Sequence, residues 1–329
     1  MRIPHFSALV FAILLPCSGK GQNIAPTGLE QKFDHEGMER GFRLHVPEAL
    51  EQSEAEHPLI FCLHGGGGNA ETMSKAGWSE LADKRRFMVV YPEGLNGHWN
   101  DGRNVRKHAT QNAVTDDVDF LMQLLDYLLE TQPVDPARVY IVGISNGGFM
   151  TQRLAVEHTK RFAAVAMQIA SLPDTYLKGP LKFEPTAPLS VLFMNGTEDP
   201  FMPYEGGKMT PNLLPHLVDS ETFDFGQGQG HSIPTLDAVH LWVTKNQLSI
   251  DRSVITELPD KDPTDGCRVE HQIWSDEGIL VTVELYRIVG GGHTIPGGTQ
   301  YLPERIIGPV CHDINGIEVT WDFFESKRR

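Results

Sequence analysis

The sequence predicts an α/β fold, a doubly wound and mostly parallel sheet with helices on both faces. Strand-like and helix-like segments alternate along most of the chain. The strand-like runs from Leu59 onward are almost continuously apolar, as strands buried on both faces are. A third sign is a helical stripe between them, in which Val118, Leu121, Met122, Leu125 and Leu128 share one face. In chain order, strands are expected at 42–46, 59–63, 87–91, 139–144, 163–169, 189–194 and 279–289. Thr115-Asp116-Asp117 reads as the start of the helix that carries the stripe, because a short polar side chain there can accept an orphan amide. Ile314, Ile317, Trp321 and Phe324 predict a second amphipathic helix near the C-terminus. Both stripes read as core packing. Residues 206–230, rich in Gly and Pro, interrupt the alternation and read either as a loop over the site or as a plain surface insertion. The run Gly226-Gln227-Gly228-Gln229-Gly230 is no dinucleotide fingerprint, since no strand precedes it and the spacing differs.

Composition sets the class. The chain has 329 residues, 40% hydrophobic and 22% charged, which suits a folded globular protein and argues against disorder. A net charge of −15 with no basic block disfavours nucleic acid and anionic membrane as partners. Arg2 followed by an apolar run from Phe6 to Leu15 reads as a secretory leader over residues 1–21, cleaved after Gly19 or Gly21. The run is too short for a comfortable membrane span. Leu14-Leu15-Pro16-Cys17 resembles a lipoprotein box only faintly, because Pro16 fits poorly. The expected product is an exported protein with one domain over residues 22–329. Of the cysteines beyond the leader, Cys62 lies in an apolar strand and reads as a core thiol, while Cys267 and Cys311 could bridge. No Cys/His spacing suggests a metal, and no cofactor is expected.

The chemistry is concentrated in Gly143-Ile144-Ser145-Asn146-Gly147. An apolar strand leads into this Gly-x-Ser-x-Gly turn and a helix-compatible stretch follows, the context of a nucleophile elbow with Ser145 at its tip. A serine hydroxyl is nearly un-ionised at neutral pH, so it needs a base, and the base needs an acid to orient it. On a doubly wound sheet the chain order is serine, acid, histidine. Asp199, with Glu198 as its adjacent competitor, follows the strand at 189–194. His293 follows the strand at 279–289, within Gly290-Gly291-Gly292-His293-Thr294. The oxyanion of the tetrahedral intermediate needs preorganised amides. Asn146 supplies one, and Leu63-His64-Gly65-Gly66-Gly67-Gly68 the other, with Gly66 favoured over Gly65 and Gly67. His64 reads as a brace for that loop.

With these residues placed, the sequence resembles the α/β-hydrolase family of secreted feruloyl esterases and polyhydroxybutyrate-depolymerase-like esterases. The resemblance runs from about Arg40 to Phe324. Besides the serine and histidine blocks, its landmarks are Tyr91-Pro92-Glu93-Gly94, Trp99-Asn100-Asp101-Gly102, Asp116-Asp117-Val118 and Gly196-Thr197-Glu198-Asp199-Pro200. It implies an α/β-hydrolase fold without a large cap domain, with Ser145 as nucleophile, Asp199 as acid and His293 as base. Gly66 and Asn146 would be the oxyanion donors. It places Trp99 and Asn100 near the mouth as substrate-binding residues, or else as packing for the Tyr91 loop. The chain departs from the family at Ile295, where a tryptophan is frequent, and at Asn195, where a histidine is frequent. The implied activity is hydrolysis of a carboxylic ester carried on a polymer, a feruloyl or acetyl ester of polysaccharide. A polyhydroxyalkanoate is the alternative, and a serine peptidase or a non-catalytic binding protein on the same scaffold are the competing classes.

Overall fold

Strands that bury both faces divide their side chains between two cores, and here that division can be followed residue by residue. The computed structural model describes residues 28–51, 53, 55–103, 116–209 and 230–329. In chain order the strands are β1 (Glu30–His35), β2 (Met38–His45), β3 (His57–Leu63), β4 (Met88–Pro92), β5 (Val134–Ile144), β6 (Ala164–Gln168), β7 (Ser190–Gly196), β8 (Gly207–Lys208), β9 (His231–Ser232), β10 (Ser253–Glu257), β11 (Arg268–Trp274) and β12 (Val283–Val289). The helices are α1 (Glu48–Glu51), α2 (Ala70–Ser74), α3 (Trp78–Arg85), α4 (Asp117–Thr131), α5 (Asn146–Glu157), α6 (Thr175–Lys178), α7 (Thr235–Lys245), α8 (Glu304–Ile307) and α9 (Gly316–Glu325). Among the described residues one sheet runs β1-β2-β4-β3-β5-β6-β7-β12-β11-β10, and β8 pairs with β9 apart from it. From β4 to β12 the neighbours are parallel, while β1, β2, β11 and β10 add antiparallel pairs at the two edges. This mostly parallel mixed sheet with flanking helices is the α/β-hydrolase fold. No helix of the described residues is long and apolar enough to cross a membrane.

Val139 and Ile141 of β5 face a core completed by α4, α5 and α7. Tyr140 and Val142 face the opposite core, completed by α3 and α9. The neighbouring strands alternate in the same way, so both sheet faces are covered. Aromatic stacking closes the second core, with Phe87 on Trp321 at 3.9 Å and Tyr140 on Phe324 at 4.9 Å. The α4 stripe buries Leu121, Leu125 and Leu128, each stabilising by roughly 1.5–3 kcal/mol. Its N-cap is Asp116, whose carboxylate accepts from the Asp119 amide at 3.0 Å. Asn315 caps α9 in the same manner.

Several expectations move. The last parallel strand begins at Val283 and not at residue 279, because Ile279 N–H closes a turn onto Asp276 O (3.1 Å) and Gly278 has a φ of +83°. Strands β1, β10 and β11 had no expectation. They are edge strands or hairpin arms with mixed, partly exposed side chains, and they are held by pairing with their neighbours more than by burial. Most of residues 206–230 and all of the leader at 1–21, Cys17 included, lie outside the described residues.

One buried ion pair joins the sheet to the loop beside the site. Arg40 of β2 donates to Asp117 Oδ1 at 2.7 Å and to Glu93 O at 3.1 Å, with its guanidinium 3.9 Å above the Phe120 ring. Asp117 Oδ2 accepts from the Asn100 amide at 2.7 Å. Burial holds the Asp117 carboxyl above its ordinary pKa even beside the guanidinium. Arg40→Met is therefore expected to destabilise the protein by about 3–5 kcal/mol, because it leaves a buried carboxylate unpaired. Arg40→Met combined with Asp117→Asn should recover more than half of that loss in urea unfolding, since the amide oxygen still accepts from Asn100.

Candidate active site

Ser145 sits at the carboxyl end of β5 with φ 53° and ψ −117°, a conformation that L-residues rarely adopt. The turn is possible because its flanks lack side chains. A Cβ on Gly143 would lie 2.1 Å from Gly147 O, and one on Gly147 would lie 2.5 Å from both Leu63 O and His64 O. The Ser145 amide donates to Gln168 O at 3.0 Å, which fixes the elbow to the end of β6.

The structure brings Ser145, Asp199 and His293 together. His293 Nε2 is 3.0 Å from Ser145 Oγ, and its Nδ1 is 2.6 Å from Asp199 Oδ2. Asp199 Oδ1 accepts from the amides of Phe201 and Met202, both at 2.8 Å. The competitor Glu198 is exposed, whereas Asp199 is buried. Two loops hold this half of the site, and they are laced to each other. Glu198 N–H donates to Gly291 O at 3.0 Å, and Gly290 N–H to Thr197 Oγ1 at 2.9 Å. Tyr301 donates its hydroxyl to His293 O at 3.0 Å, and the Phe201 ring meets the imidazole edge to face at 5.1 Å.

Of the glycine-loop amides, Gly67 donates to Gly97 O and Gly68 to Gly65 O, so neither is available to a ligand. The Gly66 N–H has no acceptor among the described residues. Asn146 is the first residue of α5, so its N–H has no helical partner either. The two positions adjoin, since a Cβ on Gly66 would lie 3.6 Å from the Asn146 Cβ. The Asn146 side chain is occupied elsewhere, exchanging hydrogen bonds with the Trp99 backbone and donating to Asp101.

His64 is buried beneath the glycine loop. Its Nδ1–H donates to Gly65 O at 2.8 Å, and its Nε2 accepts from the Gly94 amide at 2.9 Å. That pair of bonds requires the neutral ring, and burial lowers its pKa to about 4. The expected mouth residue Trp99 is corrected. It is fully buried, donates its indole N–H to His64 O at 2.9 Å and packs on the His64 ring, so it supports the loop from below. Asn100 is half-buried and does not line the cavity either, and its backbone is held by Asp117 and Arg153.

A cavity of about 720 Å³ opens beside Ser145 and His293, between α2, α3, the loop after His293 and the start of α9. Met73, Trp78, Leu81, Ile144, Ile169 and Ile317 give it apolar walls. Ile169 is held at φ +46°, unusual for a β-branched residue, and Gln168 turns its Nε2 inward to Gly316 O and Thr320 Oγ1. Sequence reasoning missed Gln168, Ile169, Thr197 and Tyr301. Gln168 is the last residue of β6 and Ile169 the first beyond it, but no local pattern marks Tyr301. Of the two departures from the family, Ile295 lines the cavity. Asn195 does not, and it ties β7 to Ala170 and Thr235.

The family model described as "Putative esterase" matches residues 35–215. The protein "Putative esterase NocK" of Nocardia uniformis subsp. tsuyamanensis is 29% identical over 288 residues, covering 87% of this chain and 79% of that one. "Poly(3-hydroxyalkanoate) depolymerase C" of Paucimonas lemoignei is 31% identical over 129 residues, 37% of this chain and 29% of that protein. "Feruloyl esterase C" of Emericella nidulans is 27% identical over 205 residues, 60% of this chain and 69% of that protein.

The neutral His64 gives the fold a pH signature. Unfolded, the ring titrates near its ordinary pKa of about 6.5, whereas folded it stays neutral down to about 4. Its contribution to stability is therefore complete above pH 6.5 and falls as the pH drops toward 4, by up to about 3 kcal/mol. In urea unfolding between pH 7 and pH 4, His64→Gln should show a shallower loss of stability than the unsubstituted protein. Parallel pH profiles would contradict the assignment.

Proposed function

The chain belongs to the esterase family, and from that premise we propose that it is a serine carboxylic-ester hydrolase acting through an acyl-enzyme. One observation carries the reading, the continuous relay from Asp199 through His293 to Ser145 Oγ. In the proposed mechanism the Ser145 oxygen attacks the ester carbonyl while His293 Nε2 takes its proton. Asp199 keeps Nδ1–H in place and stabilises the imidazolium. The Gly66 and Asn146 amides donate to the oxyanion, and they act strongly because they are fixed before the charge develops. His293 then protonates the departing alcohol. Water, activated by the same nitrogen, opens the acyl-enzyme.

We further infer an exported enzyme acting on a polymer-borne ester, with a phenolic acyl ester of polysaccharide as the first choice. The apolar walls and the size of the cavity support a bulky acyl group, and an acetyl group would leave most of that space unfilled. The relative named feruloyl esterase agrees with this choice. The relative named poly(3-hydroxyalkanoate) depolymerase favours a second reading, a polyester or its oligomers.

Ser145→Ala is expected to lower kcat/KM on p-nitrophenyl butyrate by about 10⁴-fold or more, and Asp199→Asn by roughly 10³- to 10⁴-fold, with the fold retained. Turnover unchanged in Ser145→Ala would end the acyl-enzyme mechanism. For the substrate, kcat/KM on methyl ferulate is expected to exceed that on hydroxybutyrate oligomers. A tenfold preference for the oligomers, about 1.4 kcal/mol at the transition state, would reverse the choice of substrate and leave the relay standing.

A further inference from the structure

Cys267 and Cys311 are distant in sequence and adjacent in space. Both are buried, and their sulfurs lie within 4.8 Å of each other, together with the carboxylate of Asp265. Asp265 ties the two chain segments at the backbone, accepting from the Cys267 amide at 2.8 Å and from the His312 amide at 2.7 Å. Asp313 adds a second tie between the segments, accepting from the Lys261 amide at 2.6 Å. The ties thus hold the two segments with their sulfurs within 4.8 Å, and a disulfide needs those sulfurs to approach to about 2 Å.

The position of the pair gives the contact its interest. Cys267 leads directly into β11, while Cys311 ends the segment on which the His293 loop rests. That loop donates to this segment four times. Gly292 N–H and Thr294 Oγ1–H reach Pro309 O, His293 N–H reaches Ile307 O, and Gly297 N–H reaches Cys311 O. The third described cysteine, Cys62, lies in β3 in the middle of the sheet and takes no part.

We propose that Cys267 and Cys311 are joined by a disulfide during maturation, and that the bond fastens the bed of the His293 loop to the antiparallel edge of the sheet. The oxidant is a disulfide donor, either a dithiol oxidoreductase in its oxidised form or oxidised glutathione. The Cys311 thiolate attacks a donor sulfur, forming a mixed disulfide and expelling one donor thiolate. The Cys267 sulfur, after losing its proton, then attacks Cys311 Sγ and expels the second. Two electrons and two protons pass to the donor, which leaves as two thiols. Because both sulfurs are buried in the finished fold, the exchange belongs to folding and not to the mature surface.

The test uses the full chain exported to a bacterial periplasm, alkylated in denaturant without reduction, and mapped by peptide mass spectrometry. A linked Cys267–Cys311 peptide, with Cys62 recovered alkylated, is expected. Recovery of both Cys267 and Cys311 as alkylated thiols would overturn the proposal. If they came with one equivalent of zinc retained by the native protein, the cluster with Asp265 would instead be a metal site. The fastening role has its own readout. Cys267→Ser, Cys311→Ser, the double variant and the reduced protein should share one melting temperature, about 5 °C or more below that of the oxidised protein. A melting temperature indifferent to reductant would overturn the fastening.

Discussion

Gly147 lies against the end of β3 so closely that no side chain could stand there, and the site depends on that approach. The sheet itself sets the approach. β3 and β5 are parallel neighbours with Leu63 opposite Gly143, so the loop leaving β3 and the elbow leaving β5 emerge side by side. With hydrogen in place of a Cβ at Gly143 and Gly147, the first turn of α5 settles onto both strands. The Gly65–Gly66 backbone then abuts Ser145 and Asn146. The relation between Ser145 and the amides of Gly66 and Asn146 is thus a consequence of strand register, transmitted through one tight backbone contact. A methyl group at Gly147 would move the helix, and with it one of the two amides.

Beneath the glycine loop the electrostatics are arranged to keep charge away. His64 is neutral because it is buried and its Nε2 must accept from the Gly94 amide, while Nδ1–H donates to Gly65 O. Its own backbone oxygen accepts from the Trp99 indole. The ionised groups nearby are sequestered in pairs, Asp117 with Arg40 and Asp101 with Arg103. A neutral brace matters at this place. With the brace uncharged, the loop above it presents backbone amides whose orientation is set before any charge forms on a bound group.

The parts legible in the sequence are those with a local cause. The elbow could be read because its two glycines and its serine stand in one pentapeptide after an apolar strand. The parallel core could be read because strands such as 59–63 are apolar on both faces. Asp199 and His293 followed from chain order along the sheet. The illegible parts are those decided by tertiary pairing. β10 exposes most of its side chains and is a strand only because β11 offers it a ladder. Trp99 was placed at the mouth only by the family resemblance, with packing for the Tyr91 loop as the alternative. Its burial is fixed by His64, distant in sequence, which only the folded chain brings beneath it. Gln168 and Ile169 reach the cavity because β6 ends beside β5, a matter of strand order that one sequence does not print.

The two halves of the site are held by different means. Ser145 and the amides of Gly66 and Asn146 stand just beyond the ends of two adjacent parallel strands, β5 and β3, whose register fixes them. His293 and Asp199 stand on loops, and their strands β12 and β7 bring them only to the carboxyl end of the sheet. The remaining positioning comes from loop on loop: Gly290 to Thr197, Glu198 to Gly291, and the His293 segment onto residues 307–311. Hydrogen bonds of this kind each contribute about 1 kcal/mol and open more readily than a buried ladder. The proposed proton transfer nevertheless needs the 3.0 Å contact between His293 Nε2 and Ser145 Oγ to stay within hydrogen-bond reach. β12 is also the second arm of an antiparallel hairpin with β11, whose entry at Cys267 is tied to His312 through Asp265. Any further constraint on the histidine half is most effective where that hairpin meets residues 307–311, the junction that Cys267 and Cys311 occupy.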